Sequence, residues 1–292
     1  MTYNVRLLLE YDGTNFHGWQ RQAGLPTIQE TLEEALARIT KQPVSVSGAG
    51  RTDAGVHAAG QVANFRTSLK LTESSWVKAI NSLLPPDIVI RSAEYVPPEF
   101  HERYSAKSKV YQYAILTSER PSPFLRNYVW YVRKPLNIPS MQEASEYLIG
   151  THDFSSFRAS ACSAKSPVRT LDRLEITHVP PSAIAGLGSA CIERSEKNPA
   201  YRDRRDFLIP LNRLPCTGTM ILFTFEARSY LQHMVRNIIG TLNDVGRGRF
   251  KPSDVREIIE KKDRRYAGPI APPQGLFLFS VRYDNGFNPI SL

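Results

Sequence analysis

The stretch GAGRTDAGVHAAGQ, Gly48 to Gln61, sets an arginine, an aspartate and a histidine among four glycines in fourteen residues, between two apolar runs. Glycine at this density flexes the backbone and leaves few side chains to pack, so Arg51, Asp53 and His57 are the groups there that could do chemistry. Gly48, Gly50 and Gly55 would let the backbone approach a phosphate. A dinucleotide fingerprint, however, needs glycine where Asp53 stands, and a Walker loop needs lysine where Val56 follows Gly55. A carboxylate aimed at a pyrophosphate would also repel it. Asp53 and His57 could begin a metal site, yet no further carboxylate, His or Cys lies close enough in sequence to complete it, so no metal is expected. No GxSxG elbow announces a serine nucleophile. What remains is one carboxylate held on a flexed turn beside an arginine, which suits attack on, or polarisation of, a sugar carbon. Hydrolysis of a glycosidic bond normally recruits a second carboxylate. Isomerisation of a nucleoside does not, because the leaving base itself returns as the nucleophile. The bland alternative is a capped surface turn in which Arg51 and Asp53 pair with each other.

Composition narrows the setting. Lys and Arg number 37 against 28 Asp and Glu, a formal net charge of +9, which favours a polyanionic partner through steering and counterion release. With 41% hydrophobic and 22% charged residues the 292-residue chain folds, and its length suits two domains of ordinary size. Cys162, Cys191 and Cys216 are odd in number and widely spaced, so neither a disulfide framework nor a zinc site is indicated. The first residues, MTYNVRLLLEYDG, alternate and carry acids, unlike a signal or transit peptide, and no apolar run approaches membrane-spanning length. The expected address is the cytoplasm.

The elements that must hold the loop are readable from period and caps. Tyr3, Val5, Leu7, Leu9 and Tyr11 alternate with polar residues, predicting a strand with one buried face. Thr27 and Glu30 form a capping box opening a helix that Pro43 closes, and strands are expected at Val44–Val46 and from Gln61 to Arg66. A helix from Ser75 to Leu84 and a run Ile88–Ile90 follow. The second half reads as a strand over Lys109–Leu116, a helix opened by a Ser140/Glu143 capping box, strands over Val168–Val179 and Met220–Ala227, helices near Leu231–Val245 and Ser253–Lys262, and an apolar run Leu276–Val281 suited to a central strand. Two α/β units divide near residue 106, as domains over 1–106 and 107–292. Residues 180–217, poor in periodicity and carrying Arg202, Arg204 and Arg205, read as a long exposed insertion.

At this point the sequence resembles the TruA family of tRNA pseudouridine synthases, nearly end to end. The residues that carry the resemblance are YDGTNFHGWQRQ, GRTDAGVHA, AINSLLPPDI and FHERYSAKSKVYQY in the first half. In the second half they are GTHDFSSF, SPVRTL, YLQHMVRNIIG and APPQGLFL. The resemblance implies an α/β fold: two ferredoxin- or RRM-like domains with mostly antiparallel sheets, joined about a pseudo-twofold around a basic cleft. It implies an isomerase that converts uridines 38, 39 and 40 of the tRNA anticodon stem-loop to pseudouridine, without cofactor or metal, and acts as a homodimer.

It also implies roles. Asp53 is the catalytic aspartate; whether it attacks the sugar, attacks the ring or removes the ribose 2′ proton stays open, and each route needs it ionised. Arg236, off the apolar stripe Leu231, Met234, Ile238 and Leu242, is its partner. Arg51 either helps extrude the target nucleotide or contacts phosphate. Tyr111 falls at the substrate-binding tyrosine, where a ring can stack on uracil and a hydroxyl can help move the carbon 5 proton. Leu276 and Leu278 read both as walls of the uracil pocket and as plain core. His101, His152, His178 and His233 acquire no role. A binding module that lost the chemistry, or a synthase acting on another RNA, are the competing readings; a glycosylase or nuclease lacks its second carboxylate or metal ligands.

Overall fold

The computed structural model describes residues 2–179 and 218–284. The expected insertion at 180–217, with Cys191, Cys216, Arg202, Arg204 and Arg205, lies outside the described residues. The fold is mixed α/β, built on one nine-stranded, mostly antiparallel sheet.

In the first half, β1 (Tyr3–Tyr11) is flanked by β3 (His57–Thr67) and β4 (Ile88–Val96), and the short β2 (Val46–Gly48) pairs with β3. The second half holds β5 (Ser108–Thr117), β6 (Trp130–Val132), β9 (Arg173–Val179) and β10 (Thr219–Ala227). A separate two-stranded ribbon joins β7 (Gly150–Asp153) to β8 (Val168–Leu171). The chain's last described strand, β11 (Leu276–Arg282), runs parallel to β3 and antiparallel to β5, so the order across the sheet is β4-β1-β3-β11-β5-β10-β9. The apolar run expected to be central therefore closes the seam between the halves, and Leu278 and Val281 within it are fully buried.

Helices cover the sheet. α1 (Ile28–Thr40) starts at Thr27, whose side chain accepts from the Glu30 amide as the capping box requires, and ends at Lys41 in the left-handed region. Its buried Ile28, Leu32 and Leu36 pack in one core with Val5, Leu7 and Leu9. α2 (Glu73–Asn81) begins two residues before the expected Ser75, because Thr72 supplies the cap by accepting from the Ser75 amide. α3 (Ile138–Glu146) corrects the expected start as well: Asn137 accepts from the Ser140 amide, which places Ser140 inside the first turn rather than at the cap. α4 (Met234–Gly246) and α5 (Asp254–Lys261) fall where the helical period indicates.

Two other expectations change. The polar positions of β1 are not solvated: Asn4 is 5% exposed and Arg6 is 6% exposed. The connection to the second half folds back over that face. Asn4 donates to the carbonyls of Pro97 and Phe100, Arg6 pairs with Glu94, and the Arg6 guanidinium lies 5.1 Å from the Phe100 ring centroid and 5.5 Å from that of Tyr283. β3 also begins earlier than expected, at His57, because pairing to β1 and β11 recruits residues whose own composition reads as loop.

At the seam, a Cβ on Gly60 of β3 would lie 2.4 Å from the Phe279 carbonyl oxygen of β11. Gly60→Ala is expected to destabilise the protein by about 1–3 kcal/mol through this overpacking, read as a lower urea midpoint. An unchanged midpoint would show that the seam accommodates a methyl group without cost.

Candidate active site

Asp53 sits in the loop between β2 and β3, and each flank of that loop is tied down. The Ala49 amide donates to the Val62 carbonyl at 2.8 Å, and Gln61 clasps Gly50, its Oε1 accepting from the Gly50 amide at 3.3 Å and its Nε2 donating to the Gly50 carbonyl at 2.7 Å. Thr52, 7% exposed, shares a hydrogen bond of 2.8 Å with the buried Tyr11 hydroxyl, and its carbonyl accepts from the Trp19 amide at 3.0 Å. Past the aspartate, the Val56 amide donates to the Asp53 carbonyl at 3.1 Å, closing a turn that places Gly55 at φ 75°. A side chain is strained at that φ, which accounts for the glycine. The glycine-rich composition thus serves a fixed turn, with only side chains at its crest left free.

The crest points at α4. Arg236 Nη1 donates to Asp53 Oδ2 at 2.9 Å, and its Nε donates to the Ala271 carbonyl at 2.8 Å. The Arg236 side chain is 12% exposed and that of Asp53 28%. Ala271 in turn donates its amide to the Arg236 carbonyl, so the arginine is held at both its backbone and its guanidinium. The surface turn in which Arg51 pairs Asp53 is excluded: Arg51 is exposed and has no hydrogen-bond or ion-pair partner among the described residues. His233, left without a role from sequence, places Nε2 3.5 Å from Asp53 Oδ2. His233 precedes the first turn of α4 with φ 64°, so the helical period carries no sign of it.

Tyr111 reaches the same loop from β5. It is 7% exposed, its hydroxyl lies 3.1 Å from where a Gly50 Cβ would stand, and Tyr230 packs edge-on at 5.0 Å. Burial raises the Tyr111 phenol well above its ordinary range, with Tyr11 and Asp53 adding to the shift, so it stays protonated at neutral pH. The phenol has no hydrogen-bond partner among the described residues. Leu278 pairs with Tyr111 across β5 and brings Cδ2 to 3.5 Å of the same Gly50 position, whereas Leu276 lies opposite Tyr113 at the start of β11, 6% exposed. The cluster therefore joins one carboxylate, one arginine, one histidine and one phenol from the two halves of the chain. Among the described residues no second carboxylate joins it, as the pair of a glycosidase would require.

His57, the other titratable group of the loop sequence, faces away into a structural joint. It is 1% exposed, its Nε2 donates to the Asn127 carbonyl at 2.8 Å, and its ring stacks on Phe277 at 4.8 Å. Nδ1 lies 3.1 Å from both the Gly13 amide and Asp12 Oδ1. Burial would raise the Asp12 carboxyl, but hydrogen bonds from His57, Thr14 and Tyr128 outweigh it and hold the group well below the usual carboxylate range. Among the described residues no cluster of His, Cys, Asp and Glu could hold a metal ion, and no helix is long and apolar enough to cross a membrane.

Comparison with known proteins bears on this constellation. A family model described as tRNA pseudouridine synthase matches residues 8–105 and 144–284. The chain is 44% identical over 280 residues to tRNA pseudouridine synthase A of Thermoanaerobacter sp. (strain X514), covering 96% of this chain and 99% of that one. The proteins of the same name from Acetivibrio thermocellus and Geobacter sulfurreducens are 40% and 39% identical, each over 96% of this chain and 99% of its own length.

Because the Asp12 carboxyl is depressed on folding, its contribution is present above the unfolded value of about 3.9 and is lost as pH falls towards the folded one. Asp12→Ala is expected to cost about 1.5–3 kcal/mol at pH 7 and clearly less at pH 3. Urea titrations of both proteins at the two pH values check this; an equal difference at both would remove Asp12 from the acid limb.

Proposed function

The chain belongs to the tRNA pseudouridine synthase family and is an isomerase of tRNA uridine, and we propose that Asp53 is the group on which the isomerisation turns, at uridines 38, 39 and 40 of the anticodon stem-loop. The observation that carries this reading is the Arg236–Asp53 ion pair, which fixes a lone carboxylate at the crest of the loop beside the Tyr111 hydroxyl.

A stem nucleotide must leave its stack before a side chain can reach C1′ or C5, and Arg51, exposed and unpartnered on the crest, takes the place of the departing base or holds the backbone. Asp53 then labilises the bond between C1′ and N1. The detached uracil turns, C1′ bonds to C5, N1 is left carrying a proton and the C5 proton departs, so atoms balance without cofactor or metal. Arg236 holds the carboxylate in place through these steps, its second hydrogen bond to Ala271 preventing it from following the charge. Tyr111, kept as a neutral phenol, stacks on the base and relays the C5 proton, its oxygen accepting that proton as its own passes on, without persisting as a phenolate. Leu276 and Leu278 wall the uracil. The resemblance further supports a homodimer that grips tRNA across both subunits, and the proposed address is the cytoplasm.

The decisive assay is tritium release from tRNA labelled at uridine C5. Wild type is expected to release tritium, Asp53→Asn to release none while binding the same tRNA within a few-fold, and Arg236→Met to lower kcat by about 10²–10³, as loss of a charge-orienting donor does. Release by Asp53→Asn would overturn the role of the carboxylate; release that persists after cytidine replaces uridines 38, 39 and 40 would overturn the site assignment. Equilibrium sedimentation is expected to give twice the chain mass, and a single chain mass would remove the dimer.

A further inference from the structure

Lys109 stands two residues before Tyr111 on β5 and is only 7% exposed. Its Cδ lies 3.9 Å from the Gly50 Cβ position that the Tyr111 hydroxyl and Leu278 also approach, so its stem runs along the wall of the site. The ammonium forms neither an ion pair nor a hydrogen bond with any described residue. The buried Glu102 carboxylate, 1% exposed, acts on Lys109 as a negative charge but makes no ion-pair contact with it, its Oε2 lying 3.3 Å from His101 Nδ1. Burial, with the positive charge of Arg103 adding and the negative charge of Glu102 opposing, lowers the Lys109 ammonium to about 8, which leaves it a cation at neutral pH. Lysines this enclosed are rarely found without a partner, because an unpaired buried charge is costly.

We infer that Lys109 is a substrate-binding residue whose ammonium takes a backbone phosphate of the RNA beside the nucleotide presented to Asp53. The missing partner is then supplied by the substrate. Three observations favour a phosphate over a uracil carbonyl. The group is a full charge with no ion-pair contact; the positive charge of Arg103 acts on the same position; and a compact ammonium on a flexible stem suits phosphate as a point charge. The inference rests on the Asp53 loop being the reaction centre. Lys109 lies outside the motif-bearing loop and beside a tyrosine that reads as ordinary strand packing, so only the fold brings it there.

The test is the affinity of wild type, Lys109→Met and Lys109→Arg for the same tRNA across a series of KCl concentrations, with thermal melts of all three. Lys109→Met is expected to raise Kd and KM about tenfold, the worth of one charge-assisted hydrogen bond, and to reduce the slope of log K against log salt by about 0.7–0.9. Lys109→Arg is expected to keep the wild-type slope. A purely packing role would lower the melting temperature of Lys109→Met and leave the slope untouched; a uracil contact would lower kcat and leave the slope untouched. Either outcome overturns the phosphate contact. If wild type itself releases no tritium, the reading of the Asp53 loop fails instead, and the two failures are told apart.

Discussion

The ion pair between Asp53 and Arg236 joins residues 183 positions apart, and most of the structure can be read as what that distance of 2.9 Å requires. An isolated, exposed pair of this kind would contribute little to stability, because each long side chain surrenders freedom for a screened attraction. Here the entropy is removed in advance. The loop that carries Asp53 is clasped by Gln61, Tyr11 and Trp19, and the guanidinium is aimed by its second bond to Ala271. The pair is therefore an alignment device between two preformed parts more than a source of folding energy.

Alignment of the parts falls to the seam. β11 is the last described strand, yet it inserts between β3 of the first half and β5 of the second, so neither half's contribution to the site is in register until β11 is in place. On β5, the alternation of a strand places Lys109, Tyr111 and Tyr113 on one face, and β11 sets Leu278 opposite Tyr111. The buried His57 joint works on the same boundary, linking β3 to the Asn127 carbonyl and to Phe277 of β11. Arg6 and Asn4 do likewise under residues 97–100 and Tyr283, which is why charged and polar side chains of β1 are found in the interior. Each of these polar groups has its partners. That suits contacts that must fix one arrangement of two halves, since an orphaned buried polar atom would penalise the arrangement itself.

Much of this was legible in the residues. The period of Tyr3–Tyr11, the Thr27–Glu30 cap and the apolar run at the C-terminal end identified β1, α1 and a central β11, because those signals are local and strong. The three- and four-residue strands β6 and β7 went unread, since so short a segment carries no period and owes its conformation to the strand beside it. The Ser140/Glu143 pattern misled because Asn137, three residues earlier and followed by Pro139 in the first turn, is the better cap. His233 is silent for a related reason: a histidine at the turn before a helix has no meaning until its neighbour across space is known.

By itself the sequence determined the chemistry that could be attempted. One aspartate on a glycine-flexed turn, without metal ligands, a second carboxylate or a phosphate-loop lysine, in a chain of net charge +9, limits the site to what a lone carboxylate can do beside a polyanion. Only the tertiary structure decided which groups share that site. Arg236, His233, Tyr111 and Lys109 come from a helix and a strand of the second half, and their positions relative to Asp53 follow from strand order across the seam. Local sequence does not encode such positions, because they are set by the mutual burial of surfaces that meet only when both halves are folded.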